Sequence, residues 1–250
     1  MLFRSGFSGD TFSAQAYEQA SRLGVYLLLG HEVVGLHPGH GAFGIDYREA
    51  GWLFARAVLI TVGVTPRPLP FDVEHGCGCN VTNELSLQPA APGEHVLVYG
   101  GGNSAGQAAC YYAKMGCSVS ILSRRPLEET MDARWVTSLQ GLGVTMHAGE
   151  IQEVNDTVIF CSSGEVQHLT PGTLHSFLGG EPATSWLQGL VGMDEQGYIL
   201  ADTFHCTFTP GIFAAGDCVS GSVKRFTCAI GGGGEAVSAI SRYLDASMTR

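Results

Sequence analysis

The segment GGGNSA at residues 100–105 has the residue types and spacing of a loop that binds phosphate groups. Its G-x-G-x-x-A pattern directly follows the apolar stretch HVLVY and precedes a helical pattern, which is the context that such a loop requires. Gly100 permits a tight turn, and Gly102 lets the backbone approach a pyrophosphate. Free N–H groups and the helix dipole then favour an anion at the helix start. The candidate residues of that start are Asn103, Ser104 and Ala105, of which Ala105 is small where the helix meets the strand.

Two arginines, Arg124 and Arg125, follow the next predicted strand, SVSIL at 118–122. A site for NAD places an acidic residue there, which hydrogen-bonds with the ribose hydroxyls. Two guanidinium groups instead suit the 2′-phosphate of NADP(H), because they can donate paired charge-assisted hydrogen bonds. A solvated basic turn is the alternative, but only 13 residues of the whole chain are basic. The pair therefore favours NADP(H) over NAD(H).

Two other motifs overlap or imitate this loop. Residues 102–106 also spell G-x-S-x-G, the pattern around the nucleophile of a serine hydrolase, which would be Ser104. That hydrolase would need an acid and a later histidine, for which Asp202 and His205 are the last available pair. It leaves the two arginines unexplained. A second G-x-G-x-x-G at 39–44 precedes strand residues rather than a helix, so it predicts a hairpin turn.

The elements that must position the loop form a strand–helix–strand unit of about thirty residues, from HVLVY to SVSIL. Hydrophobic periodicity and turn residues predict further elements on both sides of it. They are a helix at 8–24, strands at 31–36, 42–47 and 55–62, a helix near 131–142, strands near 143–147, 150–161 and 212–215, and a final helix at about 234–244 that follows four glycines.

The composition excludes several classes of protein. Of 250 residues, 45% are hydrophobic and 14% charged, which argues against disorder. A formal net charge of −10 disfavours nucleic acid and anionic membranes as partners. No apolar run approaches the ~20 residues of a membrane span, and the N-terminal residues lack the apolar stretch of a signal peptide. We therefore expect a cytoplasmic protein without nucleic-acid or membrane partners.

Four segments together resemble the low-molecular-weight thioredoxin reductase family, within the FAD- and NAD(P)-dependent pyridine nucleotide-disulfide oxidoreductases. They are GGGNSAGQAA at 100–109, SRR at 123–125, TPGIFAAGDCVSGSVKRF at 209–226 and the glycine-rich final helix. The resemblance implies an α/β fold with two Rossmann-like dinucleotide-binding domains in three layers. Residues 76–192 would form an NADP-binding domain, inserted into an FAD-type domain of residues 1–75 and 193–250.

The same resemblance implies a function. It predicts FAD and NADP(H) as cofactors, hydride transfer from NADPH to FAD and onward to an unidentified small-molecule or protein acceptor, and a homodimer. By the resemblance, Gly216 and Asp217 would contact the flavin ribitol and pyrophosphate. Residues 224–226 would run along the isoalloxazine, namely Lys224, Arg225 and Phe226. Thr61 and Gly63 match the family's strand that ends in A-T-G, from which Val62 departs.

Two departures from the family qualify these expectations. No strand–glycine loop–helix unit precedes residue 8, so we expect an incomplete FAD-type domain and weak FAD binding. The family's C-x-x-C would fall near Asn83–Ser86, where this chain has NELS, and Cys77-Gly-Cys79 lies earlier. The eight cysteines otherwise show no spacing typical of a metal site. We therefore do not expect thioredoxin reduction, and a flavin-deficient NADP(H)-binding remnant or fragment is the main alternative to a reductase.

Overall fold

The computed structural model describes residues 9–48, 51–71, 73, 78–83 and 89–248, and it confirms the predicted α/β class. The helices are α1 (Gly9–Arg22), α2 (Asn103–Lys114), α3 (Leu127–Thr130), α4 (Ala133–Gly141) and α5 (Phe226–Met248). The strands are β1 (Val33–Pro38), β2 (Phe43–Tyr47), β3 (Gly51–Ala55), β4 (Val58–Ile60), β5 (Val64–Pro66), β6 (Asn80–Thr82), β7 (His95–Tyr99), β8 (Ser118–Ser123), β9 (Thr145–Ala148), β10 (Glu150–Val154), β11 (Val158–Ser162), β12 (Glu165–Leu169), β13 (Thr173–Ser176), β14 (Gly180–Pro182) and β15 (Ile212–Ala214).

A five-stranded parallel sheet, in the order β6-β13-β7-β8-β9, lies in the middle of three layers. The side chains of its central strand, β7, belong alternately to two hydrophobic cores, because successive side chains of a strand point to opposite faces of the sheet. Val96 and Val98 pack with residues of α2 and α4 on one face. Leu97 and Tyr99 pack on the other face with residues of the antiparallel sheet β10-β11-β12. This double burial explains why β7 is apolar throughout.

Helix α2 begins directly after β7 and lies against the sheet through a stripe of small residues. Ala105, Ala108, Ala109 and Tyr112 are buried, at the i, i+3, i+4, i+7 spacing of one helix face. Three of the four are alanines, so the helix axis can approach the strands closely. The predicted strand–helix–strand unit is therefore present, with α2 connecting the parallel neighbours β7 and β8.

A second group of elements surrounds the parallel pair β4 and β15. It includes the antiparallel sheet β1-β2-β3, whose first two strands confirm the hairpin predicted at 39–44. There the amide of Gly39 donates to the carbonyl of Ala42 at 2.9 Å. The shared core contains Leu36, Phe43, Ile60, Leu187, Val191, Ile199, Ile212, Ala214 and Cys218.

The single strand predicted at 55–62 is wrong in its bounds. The strand inside this range is the shorter β4, which pairs parallel with β15, and only Ala55 of the range belongs to β3, which pairs antiparallel with β2. The strand predicted at 150–161 is likewise two strands, β10 and β11, joined by a turn in which Asn155 Oδ1 accepts from the amide of Thr157 at 2.9 Å. In both ranges the sequence pattern predicts extended backbone, but it does not locate the ends of the strands.

The final helix begins much earlier than predicted. The four glycines 231–234 lie inside α5 rather than before it, although each glycine in a helix interior costs up to about 1 kcal/mol relative to alanine. At Gly232 the structure gives a reason, since a Cβ there would lie 3.0 Å from Cε1 of His205. No contact of the described chain requires the other three glycines. No helix in the described ranges has the length and hydropathy needed to cross a membrane.

Candidate functional site

A cavity of about 550 Å³ opens where β7, β8 and β13 end and α2 begins. In an open parallel sheet, ligands bind at the carboxyl ends of the strands where the strand order reverses. That point lies here between β7, from which the chain continues to β8, and β13 on its other side. The predicted residues that line the cavity are Gly100, Gly102, Asn103, Ser104, Ala105, Arg124, Arg125, Asp217 and Lys224.

The first and third glycines of the loop serve different purposes. Gly100 has a φ of 152°, and a Cβ on it would lie 2.4 Å from the carbonyl oxygen of Phe177. The fold itself therefore needs glycine at this position. Gly102 precedes α2 with a φ of −91°, which any residue adopts, and a Cβ on it would meet nothing within 4 Å. The space beside Gly102 is thus open to a group from outside the chain.

The start of α2 is fixed by a pair of side-chain hydrogen bonds. Asn103 Nδ2 donates to Asp132 Oδ2 at 3.0 Å, and the amide of Asp132 donates to Asn103 Oδ1 at 2.8 Å. Asp132 immediately precedes α4, so these contacts join the starts of the two helices. The Asn103 side chain is therefore engaged, and the backbone N–H groups of the first turn of α2 are the donors that remain for an anion.

Arg124 and Arg125 follow β8 with exposed side chains. Neither arginine takes part in an ion pair within the described part of the chain, where the arginines of ion pairs are Arg22, Arg48, Arg67 and Arg134. The turn is held by the Ser123 hydroxyl, which donates to the carbonyl of Arg125. Two uncompensated guanidinium groups at the rim of the cavity make this rim electropositive, despite the negative charge of the whole chain.

Tyr99 lines the cavity together with Arg124. Burial raises the pKa of Tyr99, with repulsion from Glu150 acting in the same direction and the Ile151 amide and Arg124 acting against it. Tyr99 and Arg124 also line a second cavity of about 140 Å³, together with Arg67, Pro68, Pro70 and Leu178. Because the raised pKa keeps the Tyr99 phenol neutral at ordinary pH, this residue does not provide a negative charge that could form an ion pair with Arg124.

The residues assigned to a flavin are only partly brought to this cavity. Of them, Asp217 and Lys224 line it, and Lys224 Nζ donates to the carbonyl of Asp217 at 3.2 Å. The ammonium group also lies 4.0 Å from the centroid of the Tyr198 ring. Thr61, Gly63, Gly216, Arg225 and Phe226 do not line the cavity.

The remaining flavin candidates lie at the ends of the parallel strands β4 and β15 and at the start of α5. Gly63 and Gly216 follow these strands with positive φ values of 66° and 83°. A Cβ on Gly63 would meet nothing within 4 Å, and one on Gly216 would meet only the Cβ of Ala229 at 3.8 Å. The backbone here is open to a bound group. The Phe226 ring, in contrast, packs edge-on against Phe12 with 4.6 Å between centroids.

The residues that a serine hydrolase would use do not form a catalytic triad in the described part of the chain. Ser104 is exposed on the first turn of α2, and no histidine of the described ranges lines the cavity that contains it. His205 hydrogen-bonds instead with the Ala214 carbonyl and Glu235. Asp202 accepts from the amides of Phe204 and Cys206. A triad needs the histidine within hydrogen-bond reach of both serine and acid, so these residues do not form one.

No cysteine of the described chain lines the cavity, whereas Asn83, at the predicted dithiol position, does. Cys79 is a buried thiol, and Cys77 and Ser86 lie outside the described residues. Burial is the main factor that raises the pKa of other thiols, which disfavours the reactive thiolate; these are Cys110, Cys117, Cys206 and Cys218.

Sequence reasoning missed the part of the cavity that β13 contributes. Residues 176–180 line it, from Ser176 at the end of β13 to Gly180 at the start of β14. Neither strand was predicted, because each is only three or four residues long and is defined by pairing with distant strands. Thr130, whose hydroxyl donates to the Gly101 carbonyl at 2.7 Å, was also missed, because this contact joins residues that are far apart in the chain.

Several known proteins are similar to this chain in sequence or in fold. An NADH dehydrogenase of Bacillus subtilis is 33% identical over 165 residues, which are 62% of this chain and 32% of that protein. The chain thus spans about a third of that relative. A thioredoxin reductase of Streptomyces clavuligerus is 27% identical over 265 residues, covering 98% of this chain and 79% of that protein. The crystal structure of Lactococcus lactis thioredoxin reductase matches the fold with a TM-score of 0.83 at 22% identity, over 98% of this chain and 85% of that one.

Residues 4–233 also match the model of the pyridine nucleotide-disulphide oxidoreductases, which confirms the resemblance to the thioredoxin reductases and the Rossmann-type fold. The match includes the glycine loop, both arginines and the Gly216–Asp217 segment. The chain belongs to the pyridine nucleotide-disulphide oxidoreductase family.

Proposed function

We propose that this chain binds NADP(H) in the cavity at the end of β7 and takes part in hydride transfer from NADPH to FAD. One observation carries the choice of nucleotide: Arg124 and Arg125 line the cavity and form no ion pair in the described part of the chain. In such a complex the pyrophosphate accepts hydrogen bonds from the first turn of α2, beside Gly102. The two guanidinium groups bind the 2′-phosphate.

Members of the family use FAD together with a nicotinamide nucleotide, and the open backbone at Gly63 and Gly216 is compatible with a bound flavin. FAD supplies the hydride-accepting group when it is bound. Asp217 can accept a hydrogen bond from a sugar hydroxyl, and Lys224 brings positive charge to the same place. Both residues line the cavity that contains the glycine loop, which supports a continuous path from the nucleotide to the flavin residues. Thr61, Arg225 and Phe226 complete the proposed flavin contacts.

An anaerobic experiment tests this proposal. The purified chain is saturated with FAD, and NADPH or NADH is added while the flavin absorbance near 450 nm is followed. We expect NADPH to bleach the flavin band at a rate that depends on the protein, and NADH to do so much more slowly. Binding of NADPH without any bleaching would instead support a nucleotide-binding module without catalysis.

We also predict that the chain does not reduce thioredoxin. Disulfide exchange needs an accessible thiolate close to the electron donor, and the cavity contains Asn83 where the family's dithiol is expected. The measurement is NADPH-driven reduction of thioredoxin, followed with a chromogenic disulfide in the presence of added FAD. A matched variant, Cys77→Ser with Cys79→Ser, should have the same dye-reductase activity as the unmodified chain. Robust thioredoxin reduction that this double variant abolishes would contradict the prediction.

A further inference from the structure

The Ser176 hydroxyl is buried at the end of β13 without a hydrogen-bond partner among the described residues. The residue is only 4% exposed and lines the cavity. Burial of a hydroxyl without a hydrogen bond is unfavourable, and such groups are rare in native structures. A ligand in the cavity would supply the missing partner.

The other polar side chains of β13 all have partners within the protein. Thr173 Oγ1 donates to Glu94 Oε1 at 2.7 Å. His175 Nδ1 and the Tyr112 hydroxyl form a buried hydrogen bond of 3.0 Å. Ser176 thus differs from Thr173 and His175 on the same strand, and of these three residues it is the one that lines the cavity.

The position of Ser176 in the sheet indicates which half of a bound dinucleotide would lie beside it. Strand β7 lies between β8 and β13 in the sheet, and the chain continues from β7 into the first turn of α2, where a pyrophosphate would bind. The two arginines that suit the 2′-phosphate of the adenosine half follow β8. Ser176 lies on the opposite side of β7, paired in register with Tyr99. The half that carries nicotinamide would therefore lie on the side of Ser176.

We propose that Ser176 Oγ hydrogen-bonds with the nicotinamide-side ribose of the bound nucleotide and so positions the nicotinamide half in the cavity. The proposal rests on the NADP(H) function proposed above. A ribose hydroxyl both donates and accepts, as does the serine hydroxyl, so the two groups are complementary. Ser176 is a positioning residue, since it holds the nucleotide and takes no part in bond making or breaking.

Calorimetric titrations with two ligands distinguish the proposed Ser176 contact from the contacts made by the adenosine half. NADPH carries both halves, whereas 2′,5′-ADP carries only the adenosine half with its 2′-phosphate. In Ser176→Ala we expect the NADPH dissociation constant to rise about tenfold, the effect of about one net hydrogen bond. The affinity for 2′,5′-ADP should stay within about twofold. A residue that only supports the fold would change both affinities together.

The matched control is Ser120→Ala. Ser120 is also buried, on β8, but its hydroxyl pairs with His95 Nε2 at 2.9 Å and does not line the cavity. This variant should bind both ligands as the unmodified chain does. Should Ser176→Ala not fold, Ser176→Cys keeps the size and replaces the hydroxyl with a weak donor, and the same difference between ligands is expected.

The outcomes distinguish the two proposals. Unchanged NADPH affinity in the Ser176 variants, or equal losses for NADPH and 2′,5′-ADP, overturns the role of Ser176 and leaves the NADP(H) site intact. If the unmodified chain binds neither ligand, the proposed function fails, and the Ser176 contact fails with it.

Discussion

Replacement of Arg124 and Arg125 by glutamine together is expected to weaken NADPH binding by about 100-fold while NADH binding barely changes. A charge-assisted hydrogen bond contributes roughly 1.5–3 kcal/mol. Both arginines are exposed, so solvent screening favours the lower end of that range for each. Glutamine keeps a polar side chain of similar reach and removes the charge. Calorimetric titration with both nucleotides, at low and at moderate ionic strength, measures the effect.

The control for this pair is a second double variant, Arg22→Gln with Arg48→Gln. These arginines lie outside the cavity and pair with Glu18 and Glu32. The control removes the same two positive charges, so any effect of net charge on an anionic ligand appears in it as well. Salt should weaken NADPH binding to the unmodified chain more than to the Arg124–Arg125 variant. Equal losses for NADPH and NADH, or no loss for either, would show that these arginines do not bind a 2′-phosphate.

The two loop glycines are expected to respond in opposite ways to the addition of one methyl group. In Gly102→Ala the new Cβ meets nothing within 4 Å, so thermal stability should be almost unchanged. The methyl occupies the space through which a pyrophosphate would reach the helix N–H groups. We therefore expect the affinities for NADPH and NADH to fall together by about 10- to 100-fold, from the loss of one charge-assisted contact.

Gly100→Ala is the structural counterpart. Its Cβ would lie 2.4 Å from the Phe177 carbonyl oxygen, on a residue with φ of 152°. Backbone strain and overpacking together should destabilise the fold by at least about 2 kcal/mol. Chemical unfolding and nucleotide binding, measured on both variants, separate the two roles. Nucleotide binding that survives in Gly102→Ala, or a large loss of its stability, would contradict the role of Gly102 as a ligand contact.

The parts of this site that sequence reasoning predicted are contiguous in the chain. Residues 100–105 and the pair Arg124–Arg125 belong to one strand–helix–strand unit, whose spacing is set by local geometry. The carboxyl ends of adjacent parallel strands meet at one edge of the sheet, so both groups line one cavity. For this unit, the motif and the elements that flank it were sufficient to predict which residues line the cavity.

The contributions that sequence reasoning missed depend on pairing between distant segments. Strand β13 has only four residues and is held between β6 and β7, so no local pattern marks Ser176. The engagement of the Asn103 side chain depends on Asp132, on a different helix. Helix α5 continues through its glycines, although local propensity predicts a break there. For β13 and Asn103, contacts between distant segments rather than local propensity decide the structure.

The most direct test of an NADP(H) site at the end of β7 is calorimetric titration of the unmodified chain with NADPH and NADH under one set of conditions. The two nucleotides differ only in the 2′-phosphate, so the ratio of their dissociation constants reports what Arg124 and Arg125 contribute. We expect NADPH to bind at least about 30-fold more tightly than NADH, the effect of roughly 2 kcal/mol from charge-assisted contacts. Equal affinities, or tighter binding of NADH, would contradict the assignment of this cavity to NADP(H).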